Sequence, residues 1–187
     1  MRVALVAAVM SAILPFGAQA QSNQSNVVCG WTKADFDVVS AALAGTWQVN
    51  ANTGVVRGMG ITMPAVGKNI PPALITYASG QLMINLGAQF PLTYASGPNW
   101  NLSPPPGSPA PKQKFLSNAD ISAAAGCDSG LLPRLITKGH TSVGGVKTDF
   151  VTRLYVLNID LMYGVTTSQF MSAAGPFGGT QVIVLSR

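Results

Sequence analysis

Acidic and imidazole side chains are scarce in this chain. Its 187 residues contain six Asp, no Glu and one His, and only 9% of them are charged. Helical bundles and coiled coils rely on Glu and Lys along their exposed faces, so this composition argues against both. It also provides little material for a metal site or an acid–base pair, and we predict no metal and no cofactor. Because 48% of the residues are hydrophobic, general disorder is not expected either.

The basic residues do not form a patch in the sequence. Eleven Lys and Arg give a formal net charge of +5, but they are spread along the chain. Nucleic-acid-binding proteins usually carry a basic run with interleaved aromatic residues, and none is present. We therefore predict no nucleic-acid partner and leave any protein partner open.

The first twenty residues have the pattern of a secretory signal peptide. Arg2 supplies a positive charge, an apolar run follows from Val3 to Phe16, and Ala18-Gln19-Ala20 provides a cleavage site before Gln21. No later run reaches the roughly 18 apolar residues of a transmembrane helix, so none is expected after cleavage. The sequence predicts a periplasmic or secreted protein whose single domain spans residues 21–187.

The mature chain keeps two cysteines, Cys29 and Cys127. An even number of cysteines in an oxidising compartment favours one disulfide. Because there is no C-x-x-C motif and the only His is distant in sequence, a redox or metal role is the less favoured alternative.

Local patterns predict one helix followed by many short strands. Thr32 is a candidate N-cap with Asp35 three residues later, and Gly45 follows the helix. From there the hydrophobic period changes to two, and Gly or Pro turns separate the runs. About eight strands are predicted: 45–50, 55–63, 74–77 with 81–87, 90–102, 135–142, 147–157, 160–170 and 181–187.

This pattern is typical of an all-β, mainly antiparallel fold, and eight strands suit an up-and-down barrel. Residues 103–130 interrupt it with a Pro-rich loop and a small helix that Asn118 is expected to cap. If Cys127 pairs with Cys29, the disulfide ties this inserted segment to the N-terminal segment.

Two motifs resemble those of the lipocalin family. One is Gly45-Thr46-Trp47 on the first strand, and the other is the last strand ending in Leu185-Ser186-Arg187. The resemblance implies a barrel closed at one end that carries small hydrophobic molecules in its lumen. It also implies structural roles for Gly45, Trp47 and Arg187, with the Arg packed over the Trp by a cation–π contact at the barrel floor.

Soft and aromatic side chains on the predicted strands are candidates for the lumen wall. Met adapts to irregular apolar ligands, and Tyr adds a polar group. The candidates are Met59, Met63, Met83, Tyr94, Tyr155, Met162 and Tyr163. The alternative is that they form an ordinary filled core.

The sequence favours a binding protein over an enzyme. A cluster of His140, Ser142 and Asp149 can be imagined, but no recognisable catalytic motif accompanies it, and we predict no catalytic residue. The leading hypothesis is an exported binding barrel, and the alternative is a structural or interaction protein of the cell envelope with a filled core. An outer-membrane barrel and a hydrolase that uses His140 are weaker alternatives.

Overall fold

The computed structural model describes residues 28–51, 53–66, 70–103, 108, 115–143 and 145–187. The predicted signal peptide lies outside these residues, as does most of the Pro-rich run. The described chain is mostly antiparallel β-structure with two short α-helices.

One capping box begins the 3-10 turn that precedes the first helix, and another begins the second helix. A 3-10 turn at Lys33–Asp35 leads into helix α1 (Phe36–Leu43), and the Asp35 carboxylate accepts from the Thr32 backbone N–H at 2.8 Å. This confirms the predicted Thr32 cap. Helix α2 (Asn118–Ala125) is capped by Ser117, one residue before the predicted Asn118. A second 3-10 turn, Ser129–Leu131, follows it.

The strands are numbered in chain order. They are β1 (Gly45–Asn50), β2 (Thr53–Gly58), β3 (Ile61–Val66), β4 (Ile70–Ala78), β5 (Gln81–Asn85), β6 (Gln89–Pro91), β7 (Thr93–Tyr94), β8 (Arg134–Val143), β9 (Val146–Asn158), β10 (Leu161–Ser172) and β11 (Gly175–Ser186).

These strands form a nearly closed barrel in the order β6-β5-β4-β1-β11-β10-β9-β8-β7. The first strand, β1, pairs with the last, β11. At the other side, β6 pairs with β5 and β7 pairs with β8, and only Leu92 separates β6 from β7. This short run therefore links the two ends of the sheet. The predicted barrel, its N-terminal helix and its inserted helix are confirmed.

Two predicted strands are corrected. Residues 55–63 are a hairpin, because Met59 and Gly60 both have positive φ (52° and 74°) and form a two-residue turn between β2 and β3. The predicted strand 90–102 ends at Tyr94. Beyond it, the guanidinium of Arg134 donates to the carbonyls of Gly97 and Pro98 and holds this segment outside the sheet.

One end of the barrel is filled and covered by α1. Trp47, Leu154, Met162 and Leu185 are fully buried there, and the indole N–H of Trp47 donates to the Leu43 carbonyl at 2.9 Å. The chain around α2 packs on the outer face of β9 and β10. A disulfide between Cys29 and Cys127 joins this segment to the chain before α1, as predicted.

Candidate ligand site in the barrel lumen

The barrel contains a cavity of about 320 Å³ at the end opposite α1. The cavity lies above the filled core, and its wall comes from strands around the whole barrel. The lining residues are Val49, Ala51, Ile70, Leu86, Phe90, Thr141, Thr148, Phe150, Thr152, Thr166, Ser168, Gln181 and Ile183. Aliphatic and aromatic carbons make up most of this wall, and its polar atoms belong to hydroxyl and amide groups.

Strand alternation explains why these side chains meet in the lumen. Successive residues of a strand point to opposite faces, and register partners on neighbouring strands share a face. Leu154, Gly164 and Ile183 are register partners across β9, β10 and β11, and they lie on the inner face. One layer nearer the mouth, Thr152 is paired with Thr166. The inner face thus changes from aliphatic to polar as it leaves the core.

Four polar side chains form a belt at that layer. Thr137 is paired with Thr152, Thr152 with Thr166, and Thr166 with Gln181, across β8 to β11. The hydroxyls of Thr152 and Thr166 are 2.8 Å apart, and the Gln181 amide donates to the Ala51 carbonyl at 2.7 Å. We call these four residues the polar belt.

Two aromatic rings close the wall where β6 approaches β8. Phe90 and Phe150 meet edge to face, with ring centres 4.9 Å apart. Gly139 of β8 makes room for them, because a Cβ there would lie 2.3 Å from the Phe90 ring. The close approach of Phe90 therefore depends on the missing side chain.

Register places two of the predicted lumen residues, Met162 and Tyr94, on the inner face, and neither lines the cavity. Met162 is fully buried below the polar belt. Tyr94 lies at the covered end of the barrel, edge-on to Phe36 of α1 at 6.1 Å. Met83 alternates with the buried Leu82 and Ile84, so it lies on the outer face.

Two of the predicted tyrosines hold the inserted segment instead of a ligand. The Tyr155 and Tyr163 hydroxyls accept from the backbone N–H groups of Trp100 (2.9 Å) and Leu116 (2.8 Å), outside the barrel. Burial raises the pKa of both phenols. Their place in the predicted lumen is corrected, because residues of odd number in β9 and β10 face outward.

Met59 and Met63 are also corrected. They belong to the β2–β3 hairpin at the barrel mouth, and their side chains are 68% and 48% exposed. Neither contributes to the wall of the lumen cavity. The hairpin was not expected, since residues 55–63 alternate as one strand would.

The predicted structural group lies together at the barrel floor. The guanidinium carbon of Arg187 lies 4.4 Å from the centre of the Trp47 ring, which is the contact that the lipocalin resemblance implies. Gly45 has a φ of 142°, and a Cβ there would lie 3.6 Å from the Arg187 guanidinium. This contact belongs to the covered end, away from the cavity.

His140 and Asp149 are register partners on β8 and β9, and both are exposed on the outer face. Ser142 is paired with Lys147 one step along the same face. Among the described residues, no hydrogen bond joins these side chains into a nucleophile and base. The described residues also contain no group of three His, Cys, Asp or Glu side chains that could hold a metal ion.

A larger groove of about 710 Å³ lies outside the barrel, between β9–β11 and residues 96–103. Arg153 and Val165 form part of it. We favour the lumen as the site, because strands surround it on the inner face of the barrel, whereas the groove lies on the outer face between the sheet and residues 96–103.

No family model, curated protein or solved structure matches this chain. The resemblance to lipocalins therefore stays a prediction. None of the described helices is long and apolar enough to cross a membrane.

Proposed function

We propose that this protein is an exported binding protein that holds a small, mainly apolar molecule in its barrel lumen. The observation that carries the proposal is the cavity of about 320 Å³, whose described lining residues include no charged side chain. Binding sites for small molecules are concave and mostly apolar, with a few placed polar groups. The filled floor below the cavity fixes where such a molecule would stop.

Export is supported by two independent features. Residues 1–20 have the pattern of a signal peptide. The Cys29–Cys127 disulfide fits the oxidising conditions of the periplasm or the extracellular space. Expression of the full chain should yield an exported protein that begins at Gln21, which N-terminal mass analysis of the secreted or periplasmic fraction would detect. Retention of residues 1–20 in a protein that stays inside the cell would contradict export.

Binding is tested with 2-naphthol, a neutral fluorescent molecule of a size that suits the cavity. We expect saturable binding of one molecule per chain. The variant Ser168→Trp should abolish it, because Ser168 lies on the inner wall and an indole there would fill the cavity. Gln169→Trp is the matched control, since Gln169 is the next residue of β10 and is exposed on the outer face.

A well-folded protein that binds no probe would overturn the proposal. Unchanged binding by Ser168→Trp would place the ligand outside the lumen and would overturn it as well.

The second candidate is an interaction protein of the cell envelope. Exposed apolar side chains favour it: Met59 and Ile61 near one hairpin tip and Met171 near the β10–β11 tip are each more than half exposed (68%, 58% and 66%). The two tips are neighbours, because β11 pairs with both β2 and β10. Absence of probe binding in a folded sample would favour this function over the first.

A further inference from the structure

The polar belt has hydrogen-bonding capacity that the protein itself does not use. A threonine hydroxyl donates one hydrogen bond and can accept two. The bond between Thr152 and Thr166 uses only one of their two hydrogens. Thr137 is 1% exposed and its hydroxyl has no hydrogen-bond partner among the described residues, but Thr137 does not line the cavity. The free hydrogen-bonding capacity that a ligand can reach at this layer therefore belongs to Thr152 and Thr166.

The described residues that line the cavity offer no charge to accompany these hydroxyls. All Lys, Arg, His and Asp side chains of β8 to β11 lie on the outer face, as strand alternation and the pairing of the strands require. They are Arg134, Lys138, His140, Lys147, Asp149 and Arg153. A carboxylate or ammonium group buried in the lumen would meet no opposite charge among the described lining residues, and burial of an unpaired charge is strongly unfavourable.

The cavity also limits the size of the ligand. A volume of about 320 Å³ corresponds to about ten non-hydrogen atoms, at roughly 30 Å³ for each. The aliphatic side chains of Val49 and Ile183 lie on the core side of the belt, and they suit the apolar part of such a molecule.

We propose that the lumen selects a small neutral molecule whose hydroxyl or carbonyl group binds the polar belt while its apolar body fills the space around it. This inference rests on the proposed function, because it names the class of ligand for the same cavity. It excludes fatty acids and other anions as the preferred ligands.

Three ligands with the same ring system test this selection. Naphthalene has no polar group, 2-naphthol carries a hydroxyl, and 2-naphthoate carries a carboxylate that is ionised at pH 7.5. We expect 2-naphthol to bind about tenfold more tightly than naphthalene, the effect of a net hydrogen bond in a desolvated site. We expect 2-naphthoate to bind at least about tenfold more weakly than 2-naphthol. Isothermal titration calorimetry gives all three dissociation constants on the intact, disulfide-bonded protein.

The double variant Thr152→Val with Thr166→Val tests whether the polar belt causes the preference for 2-naphthol over naphthalene. Valine keeps the shape of threonine and removes the hydroxyl, so 2-naphthol should fall to the affinity of naphthalene. Naphthalene binding should persist, which also shows that the variant is folded. Thr167→Val is the matched control, because Thr167 is the next residue of β10 and lies on the outer face. It should keep the preference for 2-naphthol.

The possible failures can be told apart. If neither naphthalene nor 2-naphthol binds the wild-type protein, the proposed function and this inference both fall. If naphthalene binds as tightly as 2-naphthol, or if 2-naphthoate binds at least as tightly as 2-naphthol, the lumen is a binding site but this inference is wrong. If the double variant keeps the preference for 2-naphthol, the belt does not recognise the hydroxyl.

Discussion

Replacement of Arg187 by Ala should lower the stability of the barrel through the loss of one side chain at its covered end. The Arg187 guanidinium donates to the carbonyls of Ala42 (2.9 Å) and Ala44 (3.0 Å) at the end of α1, and it stacks on Trp47. The hydrogen bonds are exposed, so together we count them as about 1 kcal/mol. An exposed cation–π contact adds about 0.5 kcal/mol, and a cation at a helix C-terminus adds about 0.5 kcal/mol.

The expected loss for Arg187→Ala is therefore about 2 kcal/mol, which corresponds to a fall in Tm of roughly 4–8 °C for a protein of this size. Urea unfolding followed by tryptophan fluorescence measures it. Arg187→Lys should lose about half as much, because it keeps the charge but not the planar, two-bond geometry. Lys138→Ala is the control, since Lys138 is exposed on the outer face of β8 and should change stability by less than about 0.5 kcal/mol. A loss for Arg187→Ala no larger than that of Lys138→Ala would refute this reasoning.

Three further changes test other parts of the structure. Replacing both Cys29 and Cys127 with Ala should lower the free energy of unfolding by about 2–4 kcal/mol, because the disulfide closes a loop of 98 residues; urea unfolding that matches the wild type would contradict this. Burial raises the pKa of Tyr155. The contribution of its neutral phenol to the free energy of unfolding is therefore complete below pH ~10 and is lost as the pH rises through the pKa of the folded state. Tyr155→Phe should therefore show a shallower fall in stability between pH 10 and 12 than the wild type, in urea unfolding at several pH values, and an equally steep fall would argue against it. Gly139→Ala should lower the free energy of unfolding by about 1–3 kcal/mol, because the new methyl group overpacks the site. Gly178→Ala is the control and should be tolerated, because only one atom lies near its new Cβ, at 3.7 Å. Thermal unfolding compares the two variants, and equal Tm values would count against the close packing at Gly139.

Features that depend on residues close together in the sequence could be predicted from the sequence. The Thr32–Asp35 capping box and strand β1 lie where their local patterns put them. The barrel follows from many short alternating runs between turns, since each run must bury one face. The disulfide was predictable from an even number of cysteines and the expected compartment.

To predict which residues line the lumen, one must know which face of each strand turns inward. The local sequence pattern does not decide this when both faces are apolar. In β10, Met162 and Tyr163 are both buried, one facing the core and the other facing the inserted segment. The inserted segment covers part of the outer face and so hides the usual contrast between inside and outside. The sequence does not predict that polar residues such as Thr152 and Thr166 face the lumen, because a polar side chain in a strand normally indicates the solvent face.

The turn between β2 and β3 is hidden in the sequence for a different reason. Met59 adopts a positive φ that usually favours Gly, Asn or Asp, so only Gly60 marked the turn. The Ser79–Gly80 turn has the same pair of positive φ values, and there the sequence did indicate a turn. A Met in the first position therefore concealed a hairpin whose tip is one of the most exposed apolar parts of the molecule.

The most direct test of the lumen site is a methyl NMR titration of the disulfide-bonded protein with 2-naphthol. We predict that the methyl signals of Val49, Ile70 and Ile183, which line the cavity, shift together and saturate at one molecule per chain. The methyl signals of Val165, in the outer groove, should stay in place. Shifts at Val165 without shifts at the three lumen residues would place the ligand outside the barrel and contradict the account.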